Sequence, residues 1–203
     1  ALNAVTASDA AVTERPERWG LFSLVMATLS LRSVLSYGFM AFIPLFLMNV
    51  LGQTEAASSL AISLFSVAGM VGTALSGRTS EAVGAHRLTI ACLTITAIGS
   101  AVFALNGSSV GLALALTAVL AIGVDLFYPS AVAVGMGYVP QHLGMASGLT
   151  YGVAICLGGV AEPFLGMAGD AFGLTPVMLT LAAIALAAAL LSIVIKKLDG
   201  TQA

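Results

Sequence analysis

Long apolar runs, separated by short polar or glycine-bearing breaks, dominate the chain of 203 residues. A membrane-crossing helix needs about 20 mostly apolar residues. Six runs are on that scale, at residues 19–51, 57–76, 88–105, 110–137, 145–167 and 174–195. The breaks at 52–55, 77–87, 106–109, 139–144 and 168–173 carry turn-forming or charged residues, as connections should. The first and fourth runs are longer than a crossing requires, which predicts tilt or a kink, with Pro44 and Pro129 as the kink points. The pattern therefore predicts an all-α membrane protein with six transmembrane helices at 19–197. A polar linker at 1–18 precedes them and a short tail at 198–203 follows.

The breaks are not independent of one another. Gly77-x-x-x-Glu81-x-x-Gly84 returns as Gly166-x-x-x-Asp170-x-x-Gly173, 89 residues later at every position, and Gly69 returns as Gly158 at the same offset. Apolar runs flank both copies, which reads as an internal duplication. Three spans lie between the copies, so the copies fall on opposite membrane faces. The chain is thus expected to be two inverted three-helix repeats, residues 19–105 and 110–195.

Charge gives the orientation. With the N-terminus on one side, that side receives Arg15, Arg18, Arg78, Arg87, Lys196 and Lys197, six of the seven basic residues. The seventh, Arg32, lies inside a span. Such a bias places both termini in the cytoplasm, with the chain in the inner (plasma) membrane. Removing one span from the count would scatter the basic residues over both faces.

Composition narrows the class. Charged residues make up 8% of the chain and hydrophobic ones 59%, with a mean hydropathy of +1.06. A soluble domain carries roughly 25% charged residues, so the solvent and first partner of this chain is the lipid bilayer. A net charge of −2 gives no reason to expect a nucleic-acid partner. Cys92 and Cys156 fall inside apolar runs and read as buried packing residues. No metal-ligand spacing, nucleotide-binding loop or nucleophile–base pair occurs, and neither a metal nor a cofactor is expected. The polar start lacks the basic-then-apolar order of a signal peptide and reads as a linker within a longer protein.

Residues 77–87, Gly-Arg-Thr-Ser-Glu-Ala-Val-Gly-Ala-His-Arg, resemble the conserved loop of the major facilitator superfamily. That family's form is Gly-x-x-x-Asp-x-x-Gly followed by basic residues. Here Glu81 stands for the usual Asp, Ala85 and His86 stand for basic residues, and Arg87 keeps the charge. The resemblance implies a gating or structural role for Gly77, Glu81, Gly84 and Arg87, and for the repeat's Asp170. Residues 143–173 look like the eleventh helix of fosmidomycin-resistance-type efflux proteins. Arg32-Ser33, with residues 44–47 (Pro-Leu-Phe-Leu), resembles their seventh. The resemblance covers residues 19–197 and implies the C-terminal half of a twelve-helix transporter. Inverted repeats of three helices occur within each half of that fold. A second six-helix half, or a second copy of this chain, is the implied partner.

Within the spans, Arg32 is the sharpest candidate. It follows Trp19 by 13 residues, roughly 20 Å into a helix. A mid-membrane arginine is costly and should face a cavity or a partner. It reads either as a substrate or coupling contact or as a structural ion pair. Asp125, at similar depth in the fourth run, is its natural partner. If the two pair, protonation of Asp125 would compete with the pairing and release Arg32, which makes the proton the expected coupling ion. Glu162, before Pro163, is a second candidate proton site. Tyr37, Tyr128 and Tyr151 offer hydroxyls for a ligand or a neighbour. Phe39, Phe42 and Phe46 read as packed or lipid-facing aromatics. Gly144, Gly148 and Gly152 form one smooth helix face and read as helix packing, as do Gly69, Gly72 and Ser76. His86 and His142 fall in loops without support for a metal site. Asn106-Gly-Ser108 matches a glycosylation sequon in a loop too short to use it.

These residues point to secondary active transport of a small molecule, expected as proton-coupled efflux, an antiporter, of a polar or amphipathic compound. Two other readings stand beside it. The chain could be a non-transporting half that binds a partner half, or a six-helix protein that transports as a homodimer. An enzyme is not expected.

Overall fold

The computed structural model describes residues 17–201, so residues 1–16, most of the expected linker, lie outside the described residues. The helices are α1 (Trp19–Asn49), α2 (Glu55–Val83), α3 (Ala85–Leu105), α4 (Val110–Asp125), α5 (Tyr128–Gly137), α6 (Leu143–Gly148), α7 (Ala154–Phe172) and α8 (Leu174–Thr201). No strand occurs among the described residues. Helices α4 and α5 together form the fourth span. The fifth passes from a tight turn at Pro140–His142 through α6, a wide π-type turn at Leu149–Val153, and α7. All six spans are long and apolar enough to cross a membrane.

Local chemistry explains where the spans start and stop. Thr54 and Ser109 cap α2 and α4, their side chains accepting from the N–H groups of Ala57 and Leu112. In the 106–109 turn Asn106 donates to the carbonyl of Ser109 and accepts its N–H. Both ends of the sequon's amide are therefore committed to the turn.

The expected loops at 77–87 and 168–173 are not loops. Helix α2 continues to Val83 and α7 to Phe172. Each helix ends at one glycine with a left-handed backbone, Gly84 at φ 89° and Gly173 at φ 91°. Only glycine adopts that conformation without strain, whereas the polar residues before it are tolerated in a helix. The two breaks occupy equivalent positions of the two repeats. Likewise α8 runs through the expected tail to Thr201. Pro44 lies inside the unbroken α1, so it does not interrupt the first span. Pro129 is the second residue of α5, just after the interruption in the fourth.

Packing follows the duplication. The first span packs on the fifth as the fourth packs on the second, the first packs on the sixth as the fourth packs on the third, and the third and sixth pack on each other. Exchanging the repeats leaves this scheme unchanged, so the fold is two inverted three-helix repeats. The crossings are close because glycines sit in them. A Cβ on Gly158 would lie 2.8 Å from the backbone of Ser33, and one on Gly72 would lie 3.3 Å from the backbone of Ile122 and Leu126. Ile122 is the repeat equivalent of Ser33, and Leu126 that of Tyr37, at the offset of 89 residues. Gly69, Gly72 and Ser76 are all buried, as a seam requires.

Side chains fill the rest. Phe39, Phe42 and Phe46 are buried core residues, with Phe39 against Phe65 and Phe46 against Phe103 at centroid distances of 6.5 and 5.1 Å. Cys92 is buried as expected, but Cys156 is exposed on the bundle surface. The expected packing role of Gly144, Gly148 and Gly152 is not met within this chain. All three are exposed, and a Cβ on any of them would meet nothing within 4 Å. Their face is smooth because it looks outward, away from the neighbouring spans.

The contrast is testable. Gly158→Ala should destabilise the purified protein by about 1–3 kcal/mol through overpacking, seen as a lower thermal midpoint. Gly152→Ala should leave that midpoint unchanged.

Candidate functional site

Arg32 and Asp125 are brought together where the fourth span breaks. Asp125 is the last residue of α4, and Pro129 has no N–H with which to continue the helical bonding to its carbonyl. The break leaves backbone carbonyls in need of donors. Arg32 supplies one, its Nε donating to the carbonyl of Val124 at 3.2 Å. Its Nη2 donates to Oδ1 of Asp125 in an ion pair. A cation at a helix C-terminus also meets the negative end of the helix dipole.

Further side chains shape the pair's surroundings. The guanidinium carbon lies 4.4 Å from the ring centroid of Tyr128, a cation–π contact. Tyr37 is close enough to Arg32, and Tyr151 to Tyr128, for electrostatic interaction. The three tyrosines come from the first, fourth and fifth spans. On the other side, the Asp125 carboxylate occupies the place where a Cβ on Gly69 would stand. Only glycine at 69 admits the carboxylate in this position.

The pair is shielded but not sealed. The side chains of Arg32 and Asp125 retain 13% and 18% of their exposure. Tyr37 and Tyr151 are exposed beside them. The site therefore lies at a face of the six-helix unit, so a partner or water could reach it. Chemically it offers a guanidinium with part of its donor set already committed, a carboxylate that can take a proton, and phenolic hydroxyls.

Other expected site residues lie elsewhere. Glu162 is half-buried in α7 and has no hydrogen-bond or ion-pair partner among the described residues; it does not join the Arg32 cluster. Glu81 and Arg87 flank the Gly84 break and are exposed, as is Gly77. Asp170 borders a groove on the opposite face with Asn49, Gly169 and Gly173.

Sequence reasoning missed a second polar cluster, on the face that carries both termini of the described chain. Arg18 donates to Asp199 at 2.7 Å and its guanidinium lies 5.5 Å from the centroid of the Tyr138 ring. The Nε2 of His86 is 3.1 Å from the other Asp199 oxygen. One carboxylate thus ties the ends of the first, third and sixth spans, with the fourth span's Tyr138 alongside. Burial and the hydrogen bond to Asp199 push the Tyr138 phenol well above its ordinary range. The available signal was Asp199 itself, a lone acid beside Lys196 and Lys197 in a stretch otherwise read as tail.

Six apolar spans, an inverted repeat and a charged pair at a helix break define a multi-pass membrane protein. A family model, that of the Major Facilitator Superfamily, matches residues 21–202. The chain belongs to the Major Facilitator Superfamily, whose members are membrane transporters. Comparison with curated proteins finds no match.

The geometry predicts asymmetric mutational costs. Removing one member of a shielded ion pair strands the other. Asp125→Ala should cost about 2–4 kcal/mol, at the lower side of the range for sealed pairs because both side chains keep part of their exposure. Arg32→Met combined with Asp125→Leu should cost less than Asp125→Ala alone. Denaturation of the three variants in detergent measures the difference.

Proposed function

We propose that this chain is the C-terminal half of a proton-coupled efflux transporter for a small polar or amphipathic compound, with Asp125 as proton site and Arg32 as substrate contact. The observation that carries the reading is the Arg32–Asp125 pair at the broken fourth span. It joins the first helix of one repeat to the first helix of the other. Discontinuous helices with charged groups near mid-membrane are the usual setting of transporter substrate sites. The fosmidomycin-resistance-type resemblance supports efflux by exchange. The excess of Arg and Lys on the terminal face supports cytoplasmic termini and the inner (plasma) membrane as location.

Charge neutrality sets the chemistry. The ionised pair is neutral, so an anion added to Arg32 would leave one uncompensated negative charge at the site. A proton on Asp125 removes it, weakens the hold on Arg32 and frees N–H donors for the ligand. An anionic substrate therefore binds together with the proton. Antiport requires a neutral or cationic substrate that competes with the proton for Asp125. Either way the substrate and Asp125 protonation are linked. The second six-helix half, or a second copy of the chain, closes the other side of the exposed site.

Proteoliposomes holding the complete protein and a pH-sensitive dye test this. A panel of small carboxylates, phosphonates and amphipathic amines supplies the probes. A transported probe should move protons, and the direction of dye response separates exchange from co-transport. Asp125→Asn should abolish probe-driven proton movement by at least tenfold while probe exchange persists, because the neutral amide mimics the protonated acid. Unchanged proton movement in Asp125→Asn would remove Asp125 from the mechanism.

A further inference from the structure

Arg32 has more donors than its two bonds use. A guanidinium carries its N–H groups in a planar fork, one on Nε and two on each Nη. The Val124 carbonyl takes the one on Nε, and Asp125 takes one on Nη2. Nε and Nη2 share one edge of the fork, so neither bond uses the Nη1–Nη2 edge. An edge of that shape meets a carboxylate through two parallel hydrogen bonds.

Aromatic rings stand around this fork. The Tyr128 ring centroid lies 4.4 Å from the guanidinium carbon. Tyr37 is within electrostatic reach of Arg32, and Tyr151 of Tyr128. The crossing of the first and fifth spans positions the Tyr37 ring, since a Cβ on Gly158 would lie 2.5 Å from it. Tyr151 is set by the wide turn at Leu149–Val153. Both nevertheless stay open, Tyr37 at 37% and Tyr151 at 53% exposure. Exposed rings beside a shielded charge favour a ligand with a flat apolar body that stacks on them.

Charge narrows the class. A fork of N–H donors and phenolic hydroxyls calls for an acceptor group, whereas an ammonium would meet the guanidinium as a like charge. With a proton on Asp125, the pair carries the single positive charge of Arg32. A monoanion neutralises it, and a dianion leaves one negative charge uncompensated among apolar helices, which is costly. We propose that the site takes a monoanionic aromatic carboxylate, with its carboxylate on the Arg32 fork and its ring among Tyr37, Tyr128 and Tyr151. This rests on the reading of Arg32 as substrate contact and Asp125 as proton site. Of the two couplings open to that site, such a ligand selects movement together with the proton, and export then runs down the ligand's own gradient.

Titration calorimetry on the complete purified protein tests the ligand class. Benzoate, cyclohexanecarboxylate, phenylphosphonate and benzylamine are the probes, at about pH 8, where the phosphonate is largely a dianion. Benzoate should bind, and cyclohexanecarboxylate more weakly by roughly two- to tenfold, the scale of one aromatic pair. Phenylphosphonate and benzylamine should both bind more weakly than benzoate. Tyr37→Leu and Tyr151→Leu should each shrink the preference for the aromatic ring. Asp125→Asn should tighten benzoate on the order of tenfold by removing a nearby like charge, and adding Arg32→Gln to Asp125→Asn should abolish the binding. No benzoate binding to either the wild type or Asp125→Asn overturns the proposal. So does equal binding of benzoate and cyclohexanecarboxylate, tighter binding of phenylphosphonate, or benzoate binding that persists without Arg32. Each of these leaves the proton-movement assay of Asp125→Asn to stand by itself. A ring preference with equal benzoate affinity in wild type and Asp125→Asn supports the ligand class and counts against the proton linkage alone.

Discussion

The interaction on which the site depends is the ion pair between Arg32 and Asp125 inside an apolar bundle. Either charge alone would be costly within an apolar span. Together they neutralise each other, and the arginine also satisfies the Val124 carbonyl left by the helix break. The break, the proline that follows it and the arginine that fills it are one structural unit. Gly69 belongs to that unit too, since a side chain there would occupy the space of the carboxylate. Four positions on three spans are thus constrained by one charge problem.

The duplication supplies the frame that brings the pair together. Because the repeats are inverted, their first helices run in opposite directions, yet each packs on the second helix of the other repeat. Glycines at Gly72 and Gly158 let these crossings close to backbone distance. The positive-φ glycines, Gly84 and Gly173, turn the chain between the second and third helix of each repeat. The acids of the duplicated motif therefore sit beside turns on opposite faces, away from the Arg32 cluster.

Six spans were legible in the sequence because their apolar runs are long and their breaks polar. The inversion followed from counting spans between the motif copies. The pairing of Arg32 with Asp125 was legible because charge is scarce in these runs and both residues lie at similar depth. The extent of α2 and α7 was not, since polar residues such as Arg78, Glu81 and Asp170 sit comfortably on helix ends near the membrane surface. For Gly144, Gly148 and Gly152 the sequence did not show that the face meets nothing within this chain, because a small-residue face fits a packed seam and an outward face equally well. The terminal-face cluster around Asp199 was hidden because its partners are separated in sequence by as many as 181 residues.

These features give a member of a transporter superfamily a charged pair on an accessible face. In the proposed mechanism, protonation of Asp125 loosens its pair with Arg32 and changes what Arg32 can bind. Infrared difference spectroscopy of the purified protein between about pH 5 and pH 9 tests this most directly. The account predicts a protonated-carboxyl band that grows as pH falls and is missing in Asp125→Asn. A wild-type spectrum with no band assignable to Asp125 anywhere in that range would mean a permanently closed pair, and would contradict it.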